Sequence, residues 1–172
     1  DLTVTALWVP WLGGRKVTLL PNAEGTLALE QALEGPDTFS FVKLTPAHLE
    51  ALNQSLASRV EEQLPVRLPH ALIVGGEALL PETLARFREV AKDTLVVNEY
   101  GPTETVVGCC VYFSHEEERF AGTVPIGRPI ANTKLYVLDE RGHLVPRGVT
   151  GELYIGGLGV ARGYLGRPEL TA

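Results

Sequence analysis

The chain has 172 residues, 45% of them hydrophobic and 21% charged, a balance that supports one ordinary globular domain or two small ones with a real core. A formal net charge of −6, with no block of basic residues, excludes the clustered Lys and Arg that nucleic acid and anionic membranes demand of a partner. No apolar run approaches membrane-spanning length and no charged-then-apolar leader is present, so a soluble cytoplasmic protein is expected.

In chain order, residues 2–12 are apolar with two Trp and predict a buried helix ended by Gly13-Gly14, although Pro10 strains that reading. Arg15–Leu20 alternates and predicts a strand; Leu27–Leu33 suggests a short helix. Phe39–Leu44 predicts a strand leading into Thr45-Pro46, an N-cap followed by Pro at the first helical position, and the helix after it carries Leu49, Leu52 and Leu56 on one face. Ala71–Val74 is a short apolar strand. Pro81–Ala91 is a helix with Leu84, Phe87, Val90 and Ala91 inward, and Thr94–Val97 is the next strand. Strands alternating with helices imply a parallel, doubly wound α/β sheet. From about residue 105 the pattern changes to strands and turns, with Val106–Phe113, Lys134–Leu138 and Glu152–Ile155 reading as antiparallel structure around a charged linker at 114–121. There is no Met, and the chain opens at Asp1 in mid-pattern, which points to a piece of a larger protein.

The chemistry concentrates after Thr94-Leu95-Val96-Val97, in Asn98-Glu99-Tyr100-Gly101-Pro102-Thr103-Glu104. Gly101-Pro102 forces a turn at a strand end, where ligands collect in open α/β sheets. Tyr100 can stack on a base, Thr103 can hydrogen-bond a phosphate oxygen, and Glu104 can hold Mg²⁺, a hard cation that prefers oxygen. Taken alone, the same residues are also a turn with a surface Glu. A second segment, Gly151-Glu152-Leu153-Tyr154-Ile155-Gly156-Gly157-Leu158-Gly159-Val160-Ala161-Arg162-Gly163-Tyr164-Leu165, joins an alternating strand to a glycine-rich turn.

Together with Asp1-Leu2-Thr3, Gly75-Gly76-Glu77-Ala78 and Val124-Pro125-Ile126-Gly127-Arg128-Pro129, these segments resemble the adenylation domains of nonribosomal peptide synthetases, within the adenylate-forming enzymes. The resemblance runs the length of the chain. It implies a flavodoxin-like parallel sheet layer with flanking helices over residues 1–112, binding substrate and adenine, followed by part of a distorted antiparallel β-barrel over 113–172. It also implies ATP and Mg²⁺, a partner carrier bearing phosphopantetheine, condensation and mobile C-terminal domains in the parent synthetase, and the option of a small activator protein.

Carried over residue by residue, the resemblance gives Thr103 and Glu104 catalytic roles on the α-phosphate and the metal. Tyr100 stacks on adenine in a slot completed by Gly75, Gly76, Glu77 and Ala78, with Asn98 and Gly101 alongside. The amino acid pocket falls on Asp1, Leu2, Thr5, Lys43, Ile73, Gly75, Glu99, Val107 and Gly108, with Asp1 on the α-ammonium group. Without the resemblance, Asp1 is a helix N-cap and Lys43 snorkels to solvent.

The pocket set resembles that of domains activating asparagine. A carboxamide wants one donor and one acceptor opposite it, and Lys43 with Glu99 supplies both. Aspartate is the competitor, but its carboxylate would face Glu99, and like charges in a confined site cost several kcal/mol, roughly. Two other readings remain: a non-catalytic excised substrate-binding subdomain, and an acyl- or aryl-acid-CoA ligase, which has no need of an ammonium-binding Asp. His48, His70, His115 and His143 have no metal-ligand spacing, Ser114-His115-Glu116 lacks a nucleophile elbow, Trp8 and Trp11 read as core, and the adjacent Cys109 and Cys110 read as buried strand residues.

Overall fold

The computed structural model describes residues 2–21, 26–115 and 118–171. Its main sheet has five strands: β1 (Phe41–Leu44), β2 (Ala71–Gly75), β3 (Leu95–Tyr100), β4 (Cys110–Ser114) and β5 (Arg128–Pro129), in that spatial order. The first three are parallel, and β4 and β5 run antiparallel to their neighbours. Strand order therefore follows chain order, without the reversal that a doubly wound sheet shows. The expected boundary at residues 112–113 falls inside β4.

Helices α3 (Pro46–Glu61) and α4 (Pro81–Val90) are the crossovers. Thr45 starts α3 as the sequence predicts, its hydroxyl accepting the His48 backbone N–H at 3.3 Å with Pro46 in the first turn. Alternation along the strands sends Leu44, Leu72, Val74 and Val96 to one face, where they meet Leu49, Leu52 and Leu56 of α3 and Leu84 and Phe87 of α4 in one buried cluster. Each fully buried side chain of this kind contributes about 1.5–3 kcal/mol.

The opposite face carries Phe41, Lys43, Ile73, Gly75, Val97 and Glu99, because Lys43 registers with Ile73, Ile73 with Val97, and Gly75 with Glu99. Helix α1 (Thr3–Leu12) approaches this layer beside β1, and α2 (Leu27–Glu34) follows it in the chain. Beyond the sheet lie the antiparallel pair β6 (Thr133–Leu138) and β7 (Glu152–Gly157) and the short helix α5 (Pro168–Thr171).

Three expectations need correction. Residues 15–20 form no strand: the alternation is there, but no described strand offers them a ladder partner. Helix α1 buries none of its residues, and Trp8 and Trp11, expected in the core, are each 53% exposed and pack edge-to-face on one another. No described element covers their side of the helix. The strand expected from Val106 begins only at Cys110, because Thr103–Thr105 is one turn of 3-10 helix and Val106 leaves it at φ 79°. A barrel is not seen among the described residues; β6 and β7 stand as a two-stranded sheet.

Candidate active site

Two strands and a helix converge on one buried ion pair. Lys43, near the end of β1, reaches across β2 to the carboxylate of Glu99 on β3, and its Nζ also donates to Thr5 Oγ1 of α1 at 3.0 Å. The Lys43 side chain is 1% exposed and that of Glu99 11%. A lone charge at such depth would cost several kcal/mol, and the pair repays this only with further hydrogen bonds, here the one Lys43 donates to Thr5. Lys43 does not snorkel.

Glycines pack closely around Glu99. Gly75, between the two charges, is packed so closely on β3 that a Cβ would stand 2.7 Å from the Glu99 carbonyl oxygen. At Gly108 a Cβ would run into the Glu99 carboxylate itself. Gly101 is likewise confined, a Cβ there meeting the Val107 carbonyl oxygen at 2.7 Å. Thr5, Lys43, Ile73, Gly75, Glu99 and Gly108 thus gather on one side of the sheet, with Val107 half-buried beside them. Leu2 is half-buried at the start of α1, without a side-chain capping bond, and Asp1 lies outside the described residues.

A hollow of about 800 Å³ opens on the same face, between α1, the 13–20 segment and β1, lined by Leu7, Pro10, Val17, Phe41 and Lys43 among others. Only Lys43 belongs to the expected pocket. The hollow is largely apolar, whereas the Lys43–Glu99 pair presents charged donor and acceptor groups.

The other half of the site lies past the strand end. Gly76, at φ 91°, turns the chain out of β2, and Gly76, Glu77 and Ala78 are exposed beside the end of β3, where Tyr100 is 36% exposed. Asn98 is buried and donates to the carbonyls of Val124 at 3.2 Å and Pro125 at 2.9 Å. Val124 N–H in turn donates to Leu79 O at 2.9 Å. Asn98 therefore fixes the wall behind Tyr100 rather than presenting its amide to a ligand. Thr103 and Glu104 are exposed in the 3-10 turn. Tyr164 donates its hydroxyl to Glu104 Oε1, which holds the Glu104 carboxyl below its ordinary value and raises the Tyr164 phenol. The glycine-rich segment and the strand-end loop meet here.

A family description for AMP-binding enzymes matches residues 1–165. The chain belongs to the AMP-binding enzyme family. Among curated proteins this AMP-binding chain is 41% identical over 173 residues to bacitracin synthase 3 of Bacillus licheniformis and 38% identical over 175 residues to tyrocidine synthase 3 of Brevibacillus parabrevis. The alignments take in 100% and 99% of the chain but only 3% and 2% of those relatives. Among solved structures, the holo form of AB3403, a four-domain nonribosomal peptide synthetase bound to AMP and glycine, aligns over 100% of the chain and 12% of its own length, at 31% identity and a TM-score of 0.80. The synthetase FmoA3 aligns over 100% of the chain and 18% of its own, at 29% identity and a TM-score of 0.86. The chain is thus a segment of an adenylation domain.

The donor set of this AMP-binding segment suits one kind of metal. Among the described residues no three His, Cys, Asp or Glu side chains cluster as a metal cage. Mg²⁺ needs none, since it takes one or two carboxylates and fills its shell with water and substrate phosphates. An exposed Glu104 next to the Thr103 hydroxyl fits that requirement. What sequence reading missed was the partner of Glu104: Tyr164 stood in a segment read only as a turn, and a contact across 60 residues leaves no local signal.

Proposed function

We propose that this chain supplies the amino acid pocket and the phosphate-facing loop of a domain that joins an amino acid to ATP. The substrate carboxylate oxygen attacks the α-phosphorus, the bond from that phosphorus to the β-bridging oxygen breaks, and aminoacyl-AMP and pyrophosphate result. A carrier's phosphopantetheine thiol then takes the aminoacyl group and AMP leaves. Two anions meet in the first step, so the work is positioning and charge neutralisation. Thr103 would contact the α-phosphate, and Glu104 would hold Mg²⁺, which when bound would supply charge neutralisation at the phosphates. Tyr100 stacks on adenine against Gly75, Gly76, Glu77 and Ala78.

The observation that carries the substrate reading is the buried Lys43–Glu99 pair with Thr5 on the same ammonium group. The pair is neutral as a unit, so the side chain it accepts is best neutral and able both to donate and to accept. Asparagine meets that condition. Aspartate would add a charge that Lys43, already paired, does not balance. Glutamine adds a methylene, worth about 1–3 kcal/mol of discrimination. Asp1 takes the α-ammonium group, and Leu2, Ile73, Val107 and Gly108 line the remainder.

AB3403 and PA1221, the latter containing adenylation and PCP domains and aligned at 26% identity with a TM-score of 0.80 over 96% of this chain and 32% of its own, support a carrier domain as partner. Condensation and mobile C-terminal domains, and an activator protein, complete the proposed setting. Dependence on ATP and two free buried thiols support a cytoplasmic location, and no described helix is long and apolar enough to cross a membrane.

ATP–pyrophosphate exchange by the parent protein, run with each of the twenty amino acids, tests the proposal. Asparagine-dependent exchange is expected. Exchange with none of them leaves only a binding lobe, and exchange that survives Asp1→Ala unchanged favours a CoA ligase.

A further inference from the structure

Glu104 is held from two sides by the segment that follows β7. Its carbonyl accepts the Ala161 N–H at 2.7 Å, and its Oε1 accepts the Tyr164 hydroxyl. Gly159 lies against the same turn, where a Cβ would stand 3.4 Å from the Thr105 carbonyl oxygen. Tyr164 is itself tied down: its N–H donates to Thr171 Oγ1 at 3.0 Å, and that hydroxyl donates to Arg167 O at 3.2 Å. Gly163, at φ 138°, gives the chain the bend that seats Tyr164, and a side chain there would strike Thr171.

The turn at 103–105 needs such support. It is a single 3-10 turn, and Val106, a β-branched residue at φ 79°, leaves it in a backbone conformation that costs of the order of 1–3 kcal/mol unless its surroundings enforce it. A carboxylate on a loop of that kind has no fixed aim of its own. A hydrogen bond from a neutral phenol supplies one without removing the charge, as outer partners do for metal-ligating groups in general.

We infer that Tyr164 is a positioning residue for Glu104: its hydroxyl engages Oε1 and leaves Oε2 as the oxygen for the divalent cation that accompanies ATP. The inference rests on the proposed reading of Glu104 as the metal-bearing carboxylate. Tyr164 touches neither substrate nor metal; it acts by fixing a carboxylate that otherwise swings with its turn. The 157–164 segment and the 98–104 loop are then one working unit, although neither explains the other in sequence.

The test uses the intact parent protein and Mn²⁺ as the probe, with bound Mn²⁺ read by electron paramagnetic resonance in the presence of a non-hydrolysable ATP analogue. Tyr164→Phe is expected to weaken Mn²⁺ about 10-fold or more, in the range found for outer partners of metal ligands. Binding of the analogue without metal is expected to stay as in the wild type. Tyr164→His, which keeps a ring donor, should recover part of the loss. In a Glu104→Gln background Tyr164→Phe should cost nothing further, since the two act through one contact. Unchanged Mn²⁺ affinity in Tyr164→Phe overturns the inference, as does an equal loss of metal-free analogue binding or a full additional loss in the Glu104→Gln background. If Glu104→Gln itself keeps wild-type Mn²⁺ affinity, the reading of Glu104 fails; if it loses the ion while Tyr164→Phe does not, only the role of Tyr164 fails.

Discussion

Lys43 and Glu99 form their ion pair over the top of an intervening strand, and Gly75 is the residue beneath it. Two parallel strands that are not neighbours are thereby linked by a charge contact, while Gly75 lets β2 and β3 lie close, since a Cβ there would stand 2.7 Å from the Glu99 carbonyl oxygen.

Removing one partner strands the other. Lys43→Met should destabilise the domain by about 3–5 kcal/mol, the usual cost of leaving a buried charge uncompensated. The double change Lys43→Met with Glu99→Leu should be far milder, because it removes both charges. Urea denaturation of both variants beside the wild type compares them; a double variant no more stable than Lys43→Met would show that the charges are not coupled.

On the proposed function, Glu99 is the acceptor that separates amide from acid. Glu99→His should move preference from asparagine toward aspartate, measured as the ratio of kcat/KM in pyrophosphate exchange by the parent protein. An unmoved ratio removes Glu99 from the pocket.

Gly108 borders the Glu99 carboxylate, so Gly108→Ala crowds the charge instead of the fold at large. Overpacking of this kind costs about 1–3 kcal/mol, and each 1.4 kcal/mol is about tenfold in binding. KM for the amino acid should rise about tenfold or more while KM for ATP holds. Equal rises in both would mean that the whole loop has moved.

Alkaline pH probes the core beneath β4. Burial above all, then the hydrogen bond and charge of Cys109 with its Sγ 3.7 Å away, pushes the Cys110 thiol from 9.0 up to about 12. Between those values the folded state keeps a proton that the unfolded chain releases. The contribution to stability is therefore full below pH 9.0 and declines as pH rises toward about 12. The urea midpoint should drop more between pH 8 and pH 10 in the wild type than in Cys110→Ala, and iodoacetamide should label Cys110 slowly at pH 10 unless urea is present. Rapid labelling without urea would contradict the burial.

Much of this was legible in the chain. Runs rich in branched apolar residues marked β1 to β3, Thr45-Pro46 marked the start of α3, and a Lys at the end of an apolar strand demanded a carboxylate that Glu99 supplied. What escaped was whatever a distant partner decides. Residues 15–20 alternate as a strand does yet find no ladder, and α1 is apolar on every side, so its sequence could not say which side would be covered. Tyr164 belongs with them, because nothing near it in sequence names Glu104.

The Lys43–Glu99–Thr5 cluster also has a fixed place in the order of folding. Its ammonium sits on β1, its carboxylate on β3 and its hydroxyl on a helix 38 residues upstream of the lysine, so no short stretch of chain holds two of the three. Contacts so distant in sequence form only once the intervening loops have closed. A nascent or partly melted chain therefore carries no weakened version of this cluster: the buried pair arrives, and disappears, together with the three-strand platform.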